Sequence, residues 1–546
     1  MSASGQPIII LREGTERSRG SDARNANIMA AKIIADVIKS SMGPKGMDKM
    51  LVDTFGDVTI TSDGATMLKE MDIQHPAAKM MVEIAKTQDD EVGDGTTSVV
   101  VLAGELLGKA VELMDKKVHP TVIIDGYRDA QEQALKYLDE VAISVDPRDK
   151  NMLKKVAATA MASKLIAGHS GYIADLAVDA VLQIAEETDG EYEADIDMVK
   201  VEKKPGGSIT ETTLIRGLVI DKEVVHADMP KRVREARIGL VNAALEIEKT
   251  EFSSKINIES PEEMQAYLDQ EEGMLREMVR KVKDIGINVL LCQKGIDDMV
   301  QHFLAREGIL AARRLKESDM EALAKATGAK VVTSVDELTE ADAGYAARVE
   351  ERKIDKLIFV EGCRNPKAVS ILIRGGTERI VDEAERSLHD ALCVVRDVVE
   401  EPKIVAGGGA PEVEVARRLR RYAESLAGRE RLAVSAFAEA LEAIPTTLAE
   451  NSGMDPIDAL SEMQSRHEKG EIRVGLDSLK GEVADMAELD VYEPVLVKQQ
   501  AIKSATEAAT MLLKIDDVIA ASKMKTPPMP PGGGMPGGMP GGMPPM

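Results

Sequence analysis

Helical periodicity fills both ends of this 546-residue chain, and a different pattern separates them. The stretches 25–41, 75–90, 99–117 and 121–141 carry Ala, Ile, Val and Leu at helical spacing. The same style resumes after Gly407-Gly408-Gly409 and continues to about Lys523. Between them, β-branched apolar runs appear at 214–220, 238–241, 285–291, 330–333, 356–360 and 369–373, several separated by helical patterns. That alternation predicts α/β layering. Two similar ends around an unlike middle imply one domain split in sequence, with another inserted into it. Asp146-Pro147 interrupts the first helical region and marks the exit.

Composition narrows the classes. A chain this long is expected to form about two to four domains. Aromatic residues make up only 2% of it and Trp is absent, so cores must be built from aliphatic residues and the 29 Met. A net charge of −25 disfavours nucleic acid, which is bound by neutralising phosphates with Lys and Arg. Cys292, Cys363 and Cys393 are scattered without a CxxC pair, which fits a reducing compartment and no structural zinc. No stretch is expected to span a membrane, and no secretory signal opens the sequence. A soluble, cytoplasmic chain is expected.

Two further segments stand apart. Residues 248–277 do not read as part of the sheet: Phe252, Ile256, Ile258, Tyr267 and Leu268 lie among dense charges. Ser260, Pro261 and Glu263 there make a strong helix start. This segment is expected to be an excursion from its domain. Residues 527–546 repeat Gly-Gly-Met-Pro, a composition that cannot bury enough apolar surface to fold.

The run Gly93-Asp94-Gly95-Thr96-Thr97-Ser98 precedes an apolar helical stretch. Unpaired N–H groups at a helix N-terminus suit a phosphate. Asp94 would repel a bare phosphate, but is suitable if Mg²⁺ lies between them. It is not a Walker A loop, and such a turn alone is more often an ordinary loop. A helix dipole supplies only about 0.3–1 kcal/mol, so other groups must converge on the same point. Gly43-Pro44-Lys45-Gly46 permits close backbone approach, or simply ends a helix. Asp63-Gly64-Ala65-Thr66 repeats the acid–glycine–hydroxyl style, or caps a turn. Gly407-Gly408-Gly409 can meet a ligand or act as a hinge. Asp390 lies mid-helix between Leu388 and Leu392, where most Asp residues are solvated. The acidic run at 89–91 reads as a solvated helix end, and His169 and His389 as structural or exposed.

Taken together, these segments resemble the group II chaperonins, the archaeal thermosome branch in particular. The resemblance runs through 43–51, 61–66, 93–98, then Gly407-Gly408-Gly409-Ala410-Pro411-Glu412 and Asn451-Ser452-Gly453-Met454-Asp455-Pro456, over nearly the whole chain. It implies a multidomain α and α/β chaperonin fold. A mainly helical equatorial domain would take residues 1–147 and 405–525, and a small intermediate domain 148–216 and 370–404. An α/β apical domain would take 217–369, with a helical protrusion at about 248–277 serving as a built-in lid, and 526–546 would be a tail.

The resemblance also implies an ATP- and Mg²⁺-dependent chaperone. Asp94 would ligate Mg²⁺, Gly43 would touch phosphates, and Gly95, Thr96, Thr97 and Ser98 would cradle them. Asp390 would orient or deprotonate the attacking water, assisted by Asp63. Gly408 and Gly409 would flank the nucleoside and Glu493 would contact the ribose. Ser163 and Lys164 belong to the loop that senses the γ-phosphate. Partners would be non-native proteins and copies or paralogues in stacked rings of eight or nine, with no separate cap protein, nucleic acid or membrane. Three positions depart from the common pattern: Met42 for Leu, Ala406 for Pro, and Ala162-Ser163 for Thr-Gly. A ring component without hydrolysis and a small-molecule kinase are the competing readings.

Overall fold

The computed structural model describes residues 16–164, 167–247, 261–352, 356–365 and 367–520. The tail and residues 248–260, including Ser260 of the expected helix start, lie outside them.

Both ends of the chain build one helical bundle. Gly20–Lys39, Pro76–Val92, Thr96–Asp115 and Pro120–Val141 pack with Ala410–Ser425, Glu430–Leu441 and Val495–Lys514 around a shared core. Helix starts follow local chemistry: His75 and His119 accept a backbone N–H through their rings, each followed by Pro at the first helical position. With so few aromatic residues, the bundle tightens by using small ones. Gly104 sits where a Cβ would come within 2.4 Å of the Ala35 Cβ, so these two helices approach closely. Each fully buried Leu or Ile, such as Leu106 or Ile38, contributes about 1.5–3 kcal/mol of burial. The two ends of the described chain also pair: Glu16–Arg19 runs antiparallel to Asp517–Ala520.

The segment Glu430–Ser452 is long and apolar enough to cross a membrane by composition, with mean hydropathy 1.3, contrary to expectation. Its apolarity has another cause: 67% of its most apolar 18-residue window is buried inside the protein.

The middle forms a seven-stranded mixed sheet. Its order is Leu310–Ala312, Val289–Cys292, Arg232–Val241, Gly344–Arg352, Leu357–Cys363 and Gly217–Ile220, with Val331–Val332 also pairing to Arg232–Val241. The helices Pro261–Asp284, Asp298–Arg306 and Glu317–Thr327 contribute to its core. The apolar runs mark most strands. Gly344–Arg352 escapes that reading because its charges pair across the sheet, Arg232 with Glu350 and Arg348 with Glu361.

The excursion expected at 248–277 needs correction. The helix Pro261–Asp284 runs past 277, and its second half is core: Leu275, Val279 and Val282 are buried against the sheet. Met264, Tyr267, Leu268 and Met274 in its first part are exposed.

A third core lies between these two. It joins Lys150–Ala160 and Ser170–Ile184 to the later helix Glu378–Glu400. Val199–Pro205 pairs in parallel with Val369–Gly375, in register Val199↔Val369, and Thr213–Ile215 flanks the latter. The chain leaves the bundle through Ile143–Ser144 and returns through Lys403–Ala406. These two strands pair side by side, with Tyr492–Pro494 on the far edge of Lys403–Ala406.

Candidate functional site

Two helix starts define the site. Thr96–Asp115 begins at Gly95 (φ +78°) and Ala410–Ser425 at Gly409 (φ +80°), both left-handed and neither with a side-chain cap. Glycine is required at each: beyond the backbone strain, a Cβ at 95 would meet Val497 at 3.0 Å, and at 409 Pro445 at 2.8 Å. First-turn N–H groups at both starts are thus without a side-chain acceptor, which suits an anionic ligand. They border a cleft lined by Gly43, Asp94, Ser98, Ser163, Gly408 and Glu493 among others.

Asp94 is held by its own turn. The Gly95 N–H donates to its Oδ1 at 2.6 Å, and Gln88 Nε2 donates to its carbonyl at 2.9 Å. Gln88 also donates to the Val497 carbonyl at 3.2 Å, tying the turn to the late helix Val495–Lys514. Burial raises the Asp94 pKa, only partly offset by the Gly95 N–H and by Lys164 and Lys498.

Behind the cleft, Asp63, Lys164 and Asp390 meet. Lys164 Nζ lies 2.9 Å from Asp390 Oδ2 and 3.4 Å from Asp63 Oδ1, and all three side chains are buried. Asp63 caps the helix Gly64–Glu70, accepting from the Thr66 N–H at 2.8 Å, and accepts from Thr96 Oγ1 at 3.2 Å. It therefore does what both sequence readings allowed, capping a helix and joining the site. Ser62 Oγ donates to the Ser163 carbonyl at 3.3 Å, fixing the loop that carries Lys164. Thr97 belongs to this wall through backbone and hydroxyl packing against Gly64, where a Cβ would come within 2.8 Å.

The charges do not balance locally. Burial pushes Asp390 well above the carboxylate range; Lys164 opposes this, while Asp63 and Asp94 add to it. For Asp63 burial acts in the same direction, but Lys164 and the Thr66 N–H outweigh it and leave the pKa lowered. Burial alone would weaken the Lys164 ammonium, yet Asp390 and Asp63 hold its pKa above the ordinary lysine range. Asp63 and Asp390 share the Lys164 ammonium, Asp94 has no ammonium in contact among the described residues and only the more distant Lys164 and Lys498, and every carboxylate donor is a hard oxygen. That set fits Mg²⁺.

Two sequence expectations change here. Asp390 is only 4% exposed rather than solvated, because the helix Glu378–Glu400 is buried along most of its length and Lys164 supplies a partner. Asp89 is not part of a solvated end: it is half-buried, and burial together with Asp63 and Asp90 raises its pKa to about 6. Asp90, Glu91, His169 and His389 are exposed.

Lys498 was not anticipated. It lies 2.9 Å from Glu412 Oε1 and 2.5 Å from Glu493 Oε2, and sits on the cleft wall. Burial raises the Glu493 pKa against the pull of Lys498. A lysine among the apolar positions of Val495–Lys514 was the available signal. The loop at 477–479 also lines the cleft unannounced.

Gly93 joins the two halves of the site. It has φ +67°, and a Cβ there would fall 2.3 Å from the Cys393 Cβ. The phosphate-type turn thus packs directly on the Cys393 side chain of the helix that carries Asp390, and only a residue without a Cβ fits there. Of the departures noted in sequence, Met42 packs with Val101 and Ile444, and Ala406 lies within the Lys403–Ala406 strand.

The sequence profile of the TCP-1/cpn60 chaperonin family matches residues 34–523. Thermosome subunit beta of Thermococcus kodakarensis is 59% identical over 524 residues, covering 96% of each chain. A thermosome subunit of Pyrococcus abyssi is 58% identical, covering 96% of this chain and 95% of that one. Among solved structures, the open-state monomer of a group II chaperonin from Methanococcoides burtonii aligns with a TM-score of 0.61 at 45% identity. It covers 78% of this chain and 100% of that one. With the split bundle, the α/β middle and the converging acids already described, the chain belongs to the TCP-1/cpn60 chaperonin family, in its archaeal group II, thermosome branch.

Proposed function

We propose that this chain, a chaperonin subunit acting as a molecular chaperone within a double ring, hydrolyses ATP to enclose and release non-native proteins. The observation that carries the reading is the pair of helix starts without side-chain caps, facing one cleft backed by Asp63, Lys164 and Asp390. In this reading the bundle is the equatorial domain, the third core the intermediate domain and the seven-stranded sheet the apical domain.

The first-turn N–H groups after Gly95, with the Thr96, Thr97 and Ser98 hydroxyls and the Gly43 loop, receive the phosphates. Gly408 and Gly409 let the nucleoside approach the backbone, and Glu493, steadied by Lys498, faces the ribose. Mg²⁺, held by Asp94, neutralises phosphate charge when bound. Asp390 orients the attacking water and accepts its proton, and burial, by raising its pKa, makes the carboxylate a stronger base than an exposed one. Lys164, carried by a loop fixed through Ser163, holds Asp390 in place and senses the terminal phosphate, while Asp63 positions Lys164.

Asp390 sits in the third core and Asp94 in the bundle, so the complete set exists only while those two bodies are apposed. Nucleotide contacts spanning both favour that arrangement, and loss of phosphate weakens them. The segment ahead of the buried Leu275 would serve as the lid, so no separate cap protein is needed. The three free cysteines agree with a cytoplasmic setting.

Asp390→Ala is expected to keep nucleotide binding while phosphate release falls about 10²–10⁴-fold. Near-normal turnover would remove Asp390 from this role. Electron microscopy with and without ATP would count the ring members, eight or nine, and show whether the rings close.

A further inference from the structure

Asp390 has a second set of neighbours besides Lys164. A ring nitrogen of His389, a carboxylate oxygen of Asp89 and one of Asp390 lie within 4.8 Å of one another. They come from two packed elements: Asp89 from the last turn of Pro76–Val92, the other two from the middle of Glu378–Glu400. Asp89 and His389 border an open cleft whose walls also carry Asp195, Asp197 and Glu400. Arg396 also lines it but is paired with Asp397 at 2.7 Å, and the acids that remain outnumber it, so the cleft favours cations.

The donors differ in kind from those around Asp94. Mg²⁺ favours oxygen alone, whereas one imidazole with two carboxylates suits a borderline metal such as Zn²⁺ or Co²⁺. Metal–ligand bonds of about 2.0–2.2 Å place ligand atoms roughly 3.3–3.6 Å apart in a tetrahedron. The three groups must therefore close by at most about 1.2–1.5 Å, a movement within reach of the exposed His389 side chain.

We propose that Asp89, His389 and Asp390 form a site for a borderline divalent transition metal, separate from the nucleotide's Mg²⁺ position, and that filling it withdraws Asp390 from hydrolysis. The binding stands on the geometry alone; the inhibition rests on the role proposed above for Asp390.

The test uses the assembled full-length protein without nucleotide, in excess Mg²⁺. Co²⁺ is titrated while its visible ligand-field absorption is recorded. One saturable Co²⁺ per subunit is expected, displaced by Zn²⁺, lost in His389→Ala and kept in His169→Ala. An unchanged band in His389→Ala, or no saturable band, overturns the site. Phosphate release is then followed with ATP and Mg²⁺. Zn²⁺ should inhibit the native protein at the concentrations that displace Co²⁺ and spare His389→Ala, whose turnover without Zn²⁺ matches the native rate. Histidine-dependent binding with undiminished turnover would uphold the metal site and overturn the assignment of Asp390 to the attacking water.

Discussion

Replacing Lys164 with Met should be among the most disruptive single changes at the site, for a reason that can be worked from distances. Its ammonium lies 2.9 Å from Asp390 and 3.4 Å from Asp63, with the three side chains 6–9% exposed. At an effective dielectric of about 20, each contact carries about 5 kcal/mol of Coulomb attraction. Desolvating the ammonium cancels much of this, and breaking a buried pair from one side costs about 3–5 kcal/mol. Lys164→Met should therefore destabilise the subunit by about 3–5 kcal/mol, because two buried carboxylates lose their counter-charge. Adding Asp390→Asn should then return about 1–2 kcal/mol, since one of the stranded charges is gone. Urea unfolding at one fixed protein concentration is the assay, because assembly itself stabilises the subunit. Hydrogen exchange across Glu378–Glu400 would localise the effect. If Lys164→Met lies within about 1 kcal/mol of the native protein, or if Asp390→Asn adds to its cost, the triad is not the buried ion cluster described.

Gly93→Ala places a methyl into the Cys393 side chain at a left-handed backbone position, and should cost about 2–4 kcal/mol and lower ATP turnover; native stability would refute the close contact. Replacing residues 250–270 by a short Gly-Ser linker keeps Leu275, Val279 and Val282 in the sheet core. That variant should hydrolyse ATP but no longer shield a bound substrate from protease, and continued protection would refute the lid assignment. Glu414 offers a pH test away from the cleft. Burial would raise its pKa, but bonds from His467, Arg417 and Arg418 bring it down to about 2. A depressed carboxyl stabilises the fold above its unfolded pKa, and that contribution is lost as pH falls towards 2. Glu414→Gln should therefore cost about 3 kcal/mol at pH 7, with the gap to the native protein closing between about pH 4.5 and 2. A gap that stays constant on acidification would contradict this.

The helices were legible because their information is local. The stretches 75–90 and 121–141 carry helical spacing and fold as Pro76–Val92 and Pro120–Val141, each with Pro at its first position. The strands Val289–Cys292 and Leu357–Cys363 announced themselves by β-branched and aromatic runs, whereas Gly344–Arg352 hid behind charges whose partners lie on neighbouring strands. At the site, the glycine turns could be read as phosphate-type turns but not as a single site. Asp390 looked like any mid-helix acid because its partner Lys164 stands far earlier in the chain. Asp89 and Lys498 went unrecognised for the same reason. Burial of a charge depends on which segments fold against it, and residue spacing does not carry that. Only the family resemblance joined the pieces in advance.

The small sheet where the chain crosses between bodies has a mechanical consequence. Ile143–Ser144 and Lys403–Ala406, the outgoing and returning strands, are hydrogen-bonded neighbours. In the rotation proposed above, two covalent tethers set side by side would resist sliding and separation and leave one line about which the outer body could turn. The third strand on that line is Tyr492–Pro494, with Glu493 paired to Val405. The cleft's acid therefore sits on the axle itself, where the arc of motion is shortest. In the proposed rotation Asp390 and the seven-stranded sheet would be carried further out on the arm. A ligand seated by Glu493 would barely shift as the arm swings, while small rotations there would be magnified at the far end of the subunit.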